Sequence, residues 1–263
     1  ACGRLQQTLS LRRHPVAGAD TWVAYGDGAA LVEAQVRDQT DVCVSVGHTT
    51  QHFSEVRDLG EALFSGAWHR IPDGQFALAY CSNQNGVSLL RSLSGGNRLF
   101  YHRDGQRVWF ASSLKWLHHC VRARATVNPR ALASLLATGL PIQRYESAVD
   151  GIEEVLAGHA LVIQDGPPAQ HFFWRGLLTP PEGDVQTLAR QFRDKLTNAI
   201  EKIQGRERPV AVSLSDGIDS AAVACVAVDA FGADNVVAYT YEFDDVAHGS
   251  ETAFARSVVK RLR

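Results

Sequence analysis

The feature that most constrains this chain is a short polar turn between an apolar strand pattern and a small-residue helix pattern. The apolar run covers 209–214, the turn covers 215–220, and the helix pattern covers 221–230. Backbone N–H groups in such a turn and in the first helical turn lack intrahelical acceptors, and the helix dipole adds positive potential. A strand, a turn and a helix in this order therefore favour a phosphate-binding corner.

The side chains of the turn suit the same ligand. Ser215 and Ser220 can add hydroxyl donors, and Asp219 can hold a Mg²⁺ against phosphates. The spacing differs from Gly-x-x-x-x-Gly-Lys-[Ser/Thr] and the turn has no Lys, which excludes a Walker-type loop. The alternative interpretation is an ordinary helix start, with Asp219 or Ser220 as the N-cap.

Composition narrows the class of protein. The chain has 263 residues, of which 45% are hydrophobic and 21% charged, as expected for one large or two ordinary folded domains. A net charge of −2 argues against a nucleic-acid or membrane-surface partner, and no apolar run approaches the ~18 residues that span a bilayer. Five cysteines without C-x-x-C spacing predict neither zinc nor disulfides, so a cytoplasmic location is expected.

The first region of the chain has the pattern of a layered α+β domain. Asn85-Gly86 and Asp104-Gly105 are hairpin signals, because their positions tolerate positive φ. Helices are predicted at 113–120 and 129–137. Strands are predicted at 21–25, 41–46, 75–82, 86–92, 98–102, 107–111, 159–164 and 170–174. Antiparallel strands with few helices predict an α+β domain over 1–176.

The second region has an α/β pattern. A breaker-rich linker at 177–184 precedes apolar residues at three- and four-residue steps from Val185 to Ile203, which predict an amphipathic helix. The strand at 209–214, the helix at 221–230 and a strand at 236–241 then predict a βαβ unit of a parallel sheet. Ligands of such sheets bind beyond the carboxyl ends of strands, where Ser215 and Tyr241 would lie.

Several stretches resemble, in the same order, parts of glutamine-dependent asparagine synthetases. Residues 74–79 are similar to their Gly-Asp-Phe-Ala strand, and residues 90–101 to their Arg-Asp-x-x-Gly-x-x-Pro-Leu-Tyr-Tyr stretch. Residues 110–115 resemble Ala-Ser-Glu-x-Lys, and residues 127–159 contain the counterpart of the closing helix and the Gly-Ile…Pro-Pro-Gly-His turn. The 215–220 turn resembles the Ser-Gly-Gly-x-Asp-Ser loop of ATP pyrophosphatases. The chain is thereby identified as a member of the asparagine synthetase-like superfamily.

The resemblance implies a fold of two domains. Residues 1–176 would form an Ntn-hydrolase-like layered αββα domain of the class II glutamine amidotransferase type. Residues 185–263 would form the N-terminal part of a parallel-sheet, HUP/Rossmann-like ATP pyrophosphatase domain. The chain has no Met and ends within a helix pattern, so we expect it to be a portion of a longer polypeptide. Relatives carry a second metal-binding Asp and amine-deprotonating residues further downstream, so catalytic residues for that step are unknown here.

The resemblance also implies a degenerate glutaminase. In the family a terminal Cys attacks glutamine with its own α-amine as base. Here Ala1 precedes Cys2, so Cys2 is a nucleophile only if it becomes the N-terminus. The family's Asn-Gly-Glu-Ile-Tyr-Asn glutamine site falls near residues 46–51, which keep only the glycine. His48 cannot serve as the carboxylate that faces the α-amine of glutamine.

The resemblance assigns nucleotide-binding residues to the turn and to the two strand ends. They are Leu214, Ser215, Asp216, Gly217, Ile218, Asp219, Ser220 and Tyr241. Asp219 would be a Mg²⁺ ligand, and the rest of the turn would contact pyrophosphate mostly through backbone N–H groups. Leu214 and Tyr241 would touch adenosine, unless they are ordinary strand-end packing. Asp216 replaces the first Gly of the family's loop, and a carboxylate there repels phosphate unless it turns outward or joins the metal shell.

The implied function is that of an ATP-dependent carbon–nitrogen ligase that adenylates a carboxylate. Relatives without glutamine use, such as β-lactam synthetases, carbapenam synthetases and lasso-peptide cyclases, close a ring with an amine of the same molecule. We therefore expect ATP and Mg²⁺ as cofactors and a small-molecule or peptide substrate, as in antibiotic biosynthesis. A companion biosynthetic protein and a homo-oligomer are compatible with this expectation. The alternatives are a glutamine-hydrolysing asparagine synthetase that uses Cys2, and an inactive nucleotide-binding scaffold whose loop Asp216 has spoiled.

Overall fold

The computed structural model describes most of the chain, in two compact units, Ala1–Gly176 and Leu177–Arg263. The described residues are 12–16, 21–25, 29–36, 39–49, 62–67, 71, 74–82, 86–94, 96–105, 107–121, 126–139, 145–164, 166–173, 182–204, 209–242 and 252–262. Before residue 50 the description covers the backbone and the side chain of Cys43. Cys2, Asn85 and most of the predicted linker lie outside the described residues.

Unit 1 is built mainly from antiparallel strands. Its strands are β1 (Arg12–Val16), β2 (Thr21–Tyr25), β3 (Ala29–Val36), β4 (Gln39–Thr49), β5 (Gly74–Ser82), β6 (Gly86–Arg91), β7 (Phe100–Asp104), β8 (Arg107–Ala111), β9 (Glu153–Glu154), β10 (His159–Ile163) and β11 (Ala169–Phe172). Unit 1 also contains two helices, α1 (Leu114–Cys120) and α2 (Pro129–Thr138). The larger sheet has the order β11-β10-β6-β5-β4-β3, the smaller has the order β8-β7-β9, and β1 pairs with β2.

The centre of the six-stranded sheet is buried on both faces: seven of the nine β5 positions and four of the six β6 positions are buried, and most of these are apolar. Successive side chains of a strand point to opposite faces. Leu78 and Tyr80 pack on one face against Leu63, which belongs to a helical segment at 62–65. Ala79 packs on the other face in a cluster that includes Val155. The sheet therefore forms the middle of the unit rather than its surface.

The smaller sheet is covered on its outer side by a helix. Tyr101 of β7 packs in the cluster shared with the larger sheet, whereas the adjacent Phe100 packs with Leu117 of α1 and with Ile152. Burial and a hydrogen bond to Glu153 raise the pKa of Tyr101. The order of layers in unit 1 is the 62–65 helical segment, the six-stranded sheet, the three-stranded sheet and α1.

The hairpin between β5 and β6 depends on a glycine. Gly86 has a φ of +89°, and a Cβ built there would lie 2.3 Å from the carbonyl oxygen of Ile163. Both the left-handed backbone and the close approach of β10 therefore exclude other residues at this position. The antiparallel pairing of β5 with β6 confirms the predicted hairpin.

An ion cluster links the six-stranded and the three-stranded sheet of unit 1. Glu154 of β9 accepts hydrogen bonds from Arg91 at the end of β6, at 2.5 Å, and from Nε of Arg98, at 2.9 Å. Arg98 also donates a second bond from its NH2 group to the same carboxylate. Arg91 further donates to the carbonyl of Val155 at 3.1 Å. Arg91 and Glu154 are buried, so this carboxylate has its partners inside the protein.

Unit 2 contains a parallel strand pair flanked by helices. Its elements are α3 (Val185–Gln204), β12 (Val210–Ser213), α4 (Ile218–Phe231), a 3₁₀ turn (Ala233–Asn235), β13 (Val236–Tyr239) and α5 (Thr252–Leu262). β12 and β13 are parallel, with Val210 opposite Val236 and Ser213 opposite Tyr239. Val212 of β12 is buried with Ala227 of α4, whose small side chain allows close packing of the helix on the strands.

The structure confirms the predicted mixture of antiparallel strands, helices and a strand–helix–strand unit, with several corrections. The strand predicted at 236–241 ends at Tyr239, because β12 ends at the opposite residue, Ser213. A last bond, from Leu214 N–H to the Tyr239 carbonyl at 2.7 Å, closes the pairing, so Tyr241 lies beyond the strand. β1, β3 and β9 were not predicted. Within the described helices, none has the length and hydropathy needed to cross a membrane.

Candidate functional site

The predicted phosphate-binding turn lies between β12 and α4, at the carboxyl end of β12. We call residues Ser215, Asp216, Gly217, Ile218, Asp219 and Ser220 the 215–220 loop. The strand before it is anchored, since Val212 and Leu214 are buried, and the helix after it packs through Ala224 on the same core. The loop is therefore held at both ends by the core of unit 2.

Two serine hydroxyls organise the interior of the loop. The N–H of Ser215 donates to Oγ of Ser220 at 3.1 Å, and the two hydroxyl oxygens are 3.0 Å apart. The N–H of Gly217 donates to Oγ of Ser215 at 3.1 Å, and the hydroxyl of Ser220 donates to the Gly217 carbonyl at 3.0 Å. Two of the predicted main-chain phosphate donors are thus engaged within the loop.

The remaining main-chain donors of the loop are open. Among the described residues no acceptor pairs with the N–H groups of Asp216, Ile218, Asp219 and Ser220. The N-cap position of α4 is Gly217, and no side chain caps the helix there. In contrast, Asn128 caps α2 by accepting from Ala131 N–H at 3.1 Å. The N-terminus of α4 therefore keeps both its donors and its dipole available for an anion.

The space around Ser215, rather than the backbone angles, favours glycine at position 217. Its φ of −78° and ψ of 145° are open to any residue. A Cβ built on Gly217 would lie 3.2 Å from Oγ of Ser215, which is tighter than an ordinary contact. The glycine leaves the Ser215 hydroxyl room for its present hydrogen bonds.

Two carboxylates, Asp216 and Asp219, flank the open donors. Both residues are exposed, and neither has a hydrogen bond or ion pair with a described residue. Nowhere in the described part of the chain do three metal-ligating side chains form a group. A cation at this loop would therefore take one or two carboxylate ligands from the protein and the remainder from phosphate and water.

A cavity of about 460 Å³ adjoins the loop at Leu214. Its walls come from the end of β13, the segment after it and one side of α5: Leu214, Ala238, Tyr239, Thr240, Glu242, Thr252, Ala255, Arg256, Val259 and Lys260. Tyr241 is 72% exposed and does not line the cavity, so the structure brings Leu214 but not Tyr241 to it. Arg256 and Lys260 were not predicted as site residues, although their four-residue spacing on a helix predicts that they share a face.

A second cavity, of about 590 Å³, lies in unit 1 beside β7. It is lined by polar residues that carry no motif recognisable in the sequence, among them His102, Arg103 and Glu153. Arg103 is held by the carbonyls of Gly105, at 2.9 Å, and Gly166, at 2.6 Å. The guanidinium is thus already engaged by main-chain oxygens.

Comparison with known families gives two adjacent matches. Residues 62–174 match the glutamine amidotransferase domain, and residues 191–263 match asparagine synthase. The 215–220 loop and the cavity at Leu214 both lie within the second match. No curated protein matches the chain.

Together, the two matches support an ATP-dependent, amide-forming family of carbon–nitrogen ligases. The chain belongs to the asparagine synthetase-like superfamily and carries a glutaminase-like domain ahead of the synthetase part.

Proposed function

We propose that this chain adenylates a substrate carboxylate with ATP and forms an amide bond with an amine of the same molecule, without glutamine. The observation that carries this proposal is the 215–220 loop, which presents open main-chain donors at the carboxyl end of β12 within the asparagine synthase match. Donors in this position are suited to the negative charge that grows on leaving phosphate oxygens.

In the proposed first step, a carboxylate oxygen bonds to the α-phosphorus, and the bond from that phosphorus to the α–β bridging oxygen breaks. Pyrophosphate leaves with the electron pair. In the second step the amine attacks the acyl carbon, AMP leaves, and the amine gives up one proton. The N–H groups of Ile218, Asp219 and Ser220 would hold the leaving pyrophosphate, while Leu214 would pack against the adenosine in the adjoining cavity.

Magnesium is the metal that the family resemblance implies, and Asp219 is suited to hold it. Its carboxylate is exposed, in the first turn of α4, and has no partner among the described residues. Mg²⁺ retains several waters and is commonly held by one or two carboxylates plus substrate phosphates, which matches this sparse donor set. When bound, the ion neutralises phosphate charge.

Ring closure without glutamine is supported by the stretch at 46–51. It keeps only Gly47 of the family's glutamine-site motif, with His48 where a carboxylate is expected. An amine on the substrate itself can present an effective molarity of ~10⁵ M or more, which leaves no need for ammonia from glutamine. In this proposal unit 1 has an Ntn-type fold and serves as a scaffold, and unit 2 has a HUP-like fold. The substrate is a small molecule or peptide in the cytoplasm, as for lasso-peptide cyclases.

Calorimetric titration with Mg·ATP tests the proposal. We expect weak binding that strengthens in Asp216→Gly, because this change removes a negative charge from the phosphate side of the loop. Asp234→Gly is the matched control, since Asp234 is also exposed but precedes β13 at the opposite end of the strand pair. Unchanged or weaker binding in Asp216→Gly would contradict the role given to position 216. ATP–pyrophosphate exchange with a panel of carboxylates would then identify the substrate.

The match of residues 62–174 to a glutamine amidotransferase domain favours a second candidate, a glutamine-hydrolysing asparagine synthetase that uses Cys2. Release of glutamate from glutamine, abolished by Cys2→Ala, would support this candidate over ring closure. Binding of neither Mg·ATP nor pyrophosphate by the chain would instead support an inactive scaffold.

A further inference from the structure

The Ser220 hydroxyl has more neighbours in the loop than one proton can serve. Its oxygen lies 3.1 Å from Ser215 N, 3.0 Å from Ser215 Oγ, 3.0 Å from the Gly217 carbonyl and 3.5 Å from the Ser215 carbonyl. A hydroxyl donates one hydrogen bond and accepts two. The contacts therefore allow more than one proton arrangement, and two of these use the 3.0 Å contacts.

In the first arrangement, Ser220 O–H donates to the Gly217 carbonyl and Ser215 O–H donates to Ser220 Oγ. Both hydroxyl protons are then used inside the loop. In the second, Ser220 O–H donates to Ser215 Oγ, which also accepts from Gly217 N–H. The Ser215 proton is then free to point out of the loop. A donor whose own oxygen accepts two hydrogen bonds is polarised and donates more strongly.

We propose that Ser220 is a positioning residue that acts through Ser215. When pyrophosphate binds, the Ser220 O–H group rotates and donates to Ser215 Oγ instead of to the Gly217 carbonyl, and the Ser215 O–H group then donates to the phosphate. This inference rests on the proposed function, because it assumes that the 215–220 loop holds the phosphates of ATP. It assigns direct phosphate contact to the Ser215 hydroxyl and to the open N–H groups of the loop. The Ser220 hydroxyl stays inside the loop, since it accepts from Ser215 N–H and donates to Ser215 Oγ.

A double-mutant cycle separates this inference from two independent phosphate contacts. The variants are Ser215→Ala, Ser220→Ala and the pair, and the measurement is affinity for Mg·pyrophosphate and Mg·ATP. Each single change should weaken binding about tenfold, the size of one hydrogen bond to a charged group. The affinity of the double variant should also fall about tenfold, because either single change already removes the hydrogen bond from Ser220 to Ser215 on which the phosphate contact depends. A double loss near the product of the single losses would overturn the inference.

Two further variants distinguish positioning from a general effect on folding. Ser220→Thr keeps the hydroxyl and should restore most of the affinity lost in Ser220→Ala. Ser213→Ala is the matched control, because Ser213 is exposed and lies two residues before the loop, and it should bind as the unaltered chain does. Failure of Thr at 220 to restore binding in a folded variant would contradict the proposal.

Hydrogen exchange on the unaltered chain provides a test without mutation. Without ligand, the amides of Ser215 and Gly217 should exchange more slowly than those of Asp216 and Ile218, which have no acceptor among the described residues. Mg·pyrophosphate should then protect Asp216 and Ile218. Fast exchange of Gly217 in the free chain would overturn the inference. A chain that binds neither ligand would overturn the proposed function as well, whereas binding with additive losses would overturn the inference alone.

Discussion

Glu154 in unit 1 and Asp219 in unit 2 are carboxylates with opposite surroundings. Glu154 is buried between the guanidinium groups of Arg91 and Arg98, which come from residues far away in the sequence. Asp219 is exposed at the start of α4, and it has no hydrogen bond or ion pair with another described residue. The first carboxylate has all its partners within the fold, and the second has room for partners that the fold does not supply.

The difference separates a charge that is part of the fold from a charge to which the proposed function assigns ligand binding. A buried carboxylate must be paired, because removing its hydration is costly, and its partners then become part of the fold. An exposed carboxylate beside open N–H groups costs the fold little and can be completed by a metal and phosphate. Substitutions at the two sites should therefore change different measured quantities: unfolding free energy at Glu154 and ligand affinity at Asp219.

The largest expected effect is at Glu154. Glu154→Ala leaves the buried Arg91 without its carboxylate, so we expect a loss of about 3–5 kcal/mol in unfolding free energy. Urea unfolding followed by circular dichroism measures this loss. Glu201→Ala, at an exposed position of α3, is the control and should change little. A loss of unfolding free energy below about 1 kcal/mol in Glu154→Ala would show that this cluster contributes no more than an exposed ion pair does.

A second prediction uses a buried thiol on the larger sheet of unit 1. Burial, and to a lesser extent Cys81, raises the pKa of Cys43 from 9.0 to about 12. Because the pKa in the folded state is the higher one, stability is full below pH 9 and falls as the pH rises toward 12. Urea unfolding across this range measures the decline, and Cys43→Val should flatten it. Alkylation of Cys43 at pH 8 without denaturant would contradict this description.

Asp219 tests the ligand-binding side of the comparison. Asp219→Asn should lower the affinity for Mg·ATP about tenfold, because the proposed metal ligand loses its charge while the shape is kept. The urea midpoint should stay nearly unchanged, since the carboxylate is exposed. Repeating the titration with ATP and EDTA is the internal control: the difference between the two proteins should disappear without magnesium. A difference that persists would mean that Asp219 acts without the metal.

The smallest effect is expected for the exposed ion pair between Arg193 of α3 and Asp229 of α4. More than half of each side chain is exposed, so Arg193→Ala should cost less than about 1 kcal/mol, and less still in high salt. Arg190→Ala, on the same helix and outside any described ion pair, is the matched control. A loss approaching that of Glu154→Ala would show that exposure is not what separates the two kinds of pair.

Much of the fold could be predicted from local patterns. The long apolar periodicity from Val185 predicted α3, and the hairpin signals predicted β5–β6 and β7–β8. The missed strands have weak local signals: β3 has three Ala, one Glu and one Gln among its eight residues, and β1 contains Pro15. β3 pairs with β4, and β1 pairs with β2. Such pairing depends on contacts between segments, so it could not be predicted from one segment alone.

The candidate site was predicted in part. The position of the 215–220 loop followed from the strand, turn and helix patterns, and the structure places Leu214 at the adjoining cavity. The contact between the Ser215 and Ser220 hydroxyls depends on side-chain rotamers, so residue types alone could not predict it. Likewise, the pairing of Arg91 with Glu154 joins residues 63 positions apart and depends on how the two sheets pack.

The burial of β5 and β6 on both faces has a consequence for production of the protein. The segment Gly74–Ser82 is uncharged and rich in aromatic and aliphatic residues, which are the properties of aggregation-prone strands. In the folded unit its neighbours β4 and β6 occupy both edges, so it cannot associate with other chains. In the unfolded chain, during synthesis or heating, this strand is exposed. Aggregation of unfolded chains before they refold would then make inactivation irreversible.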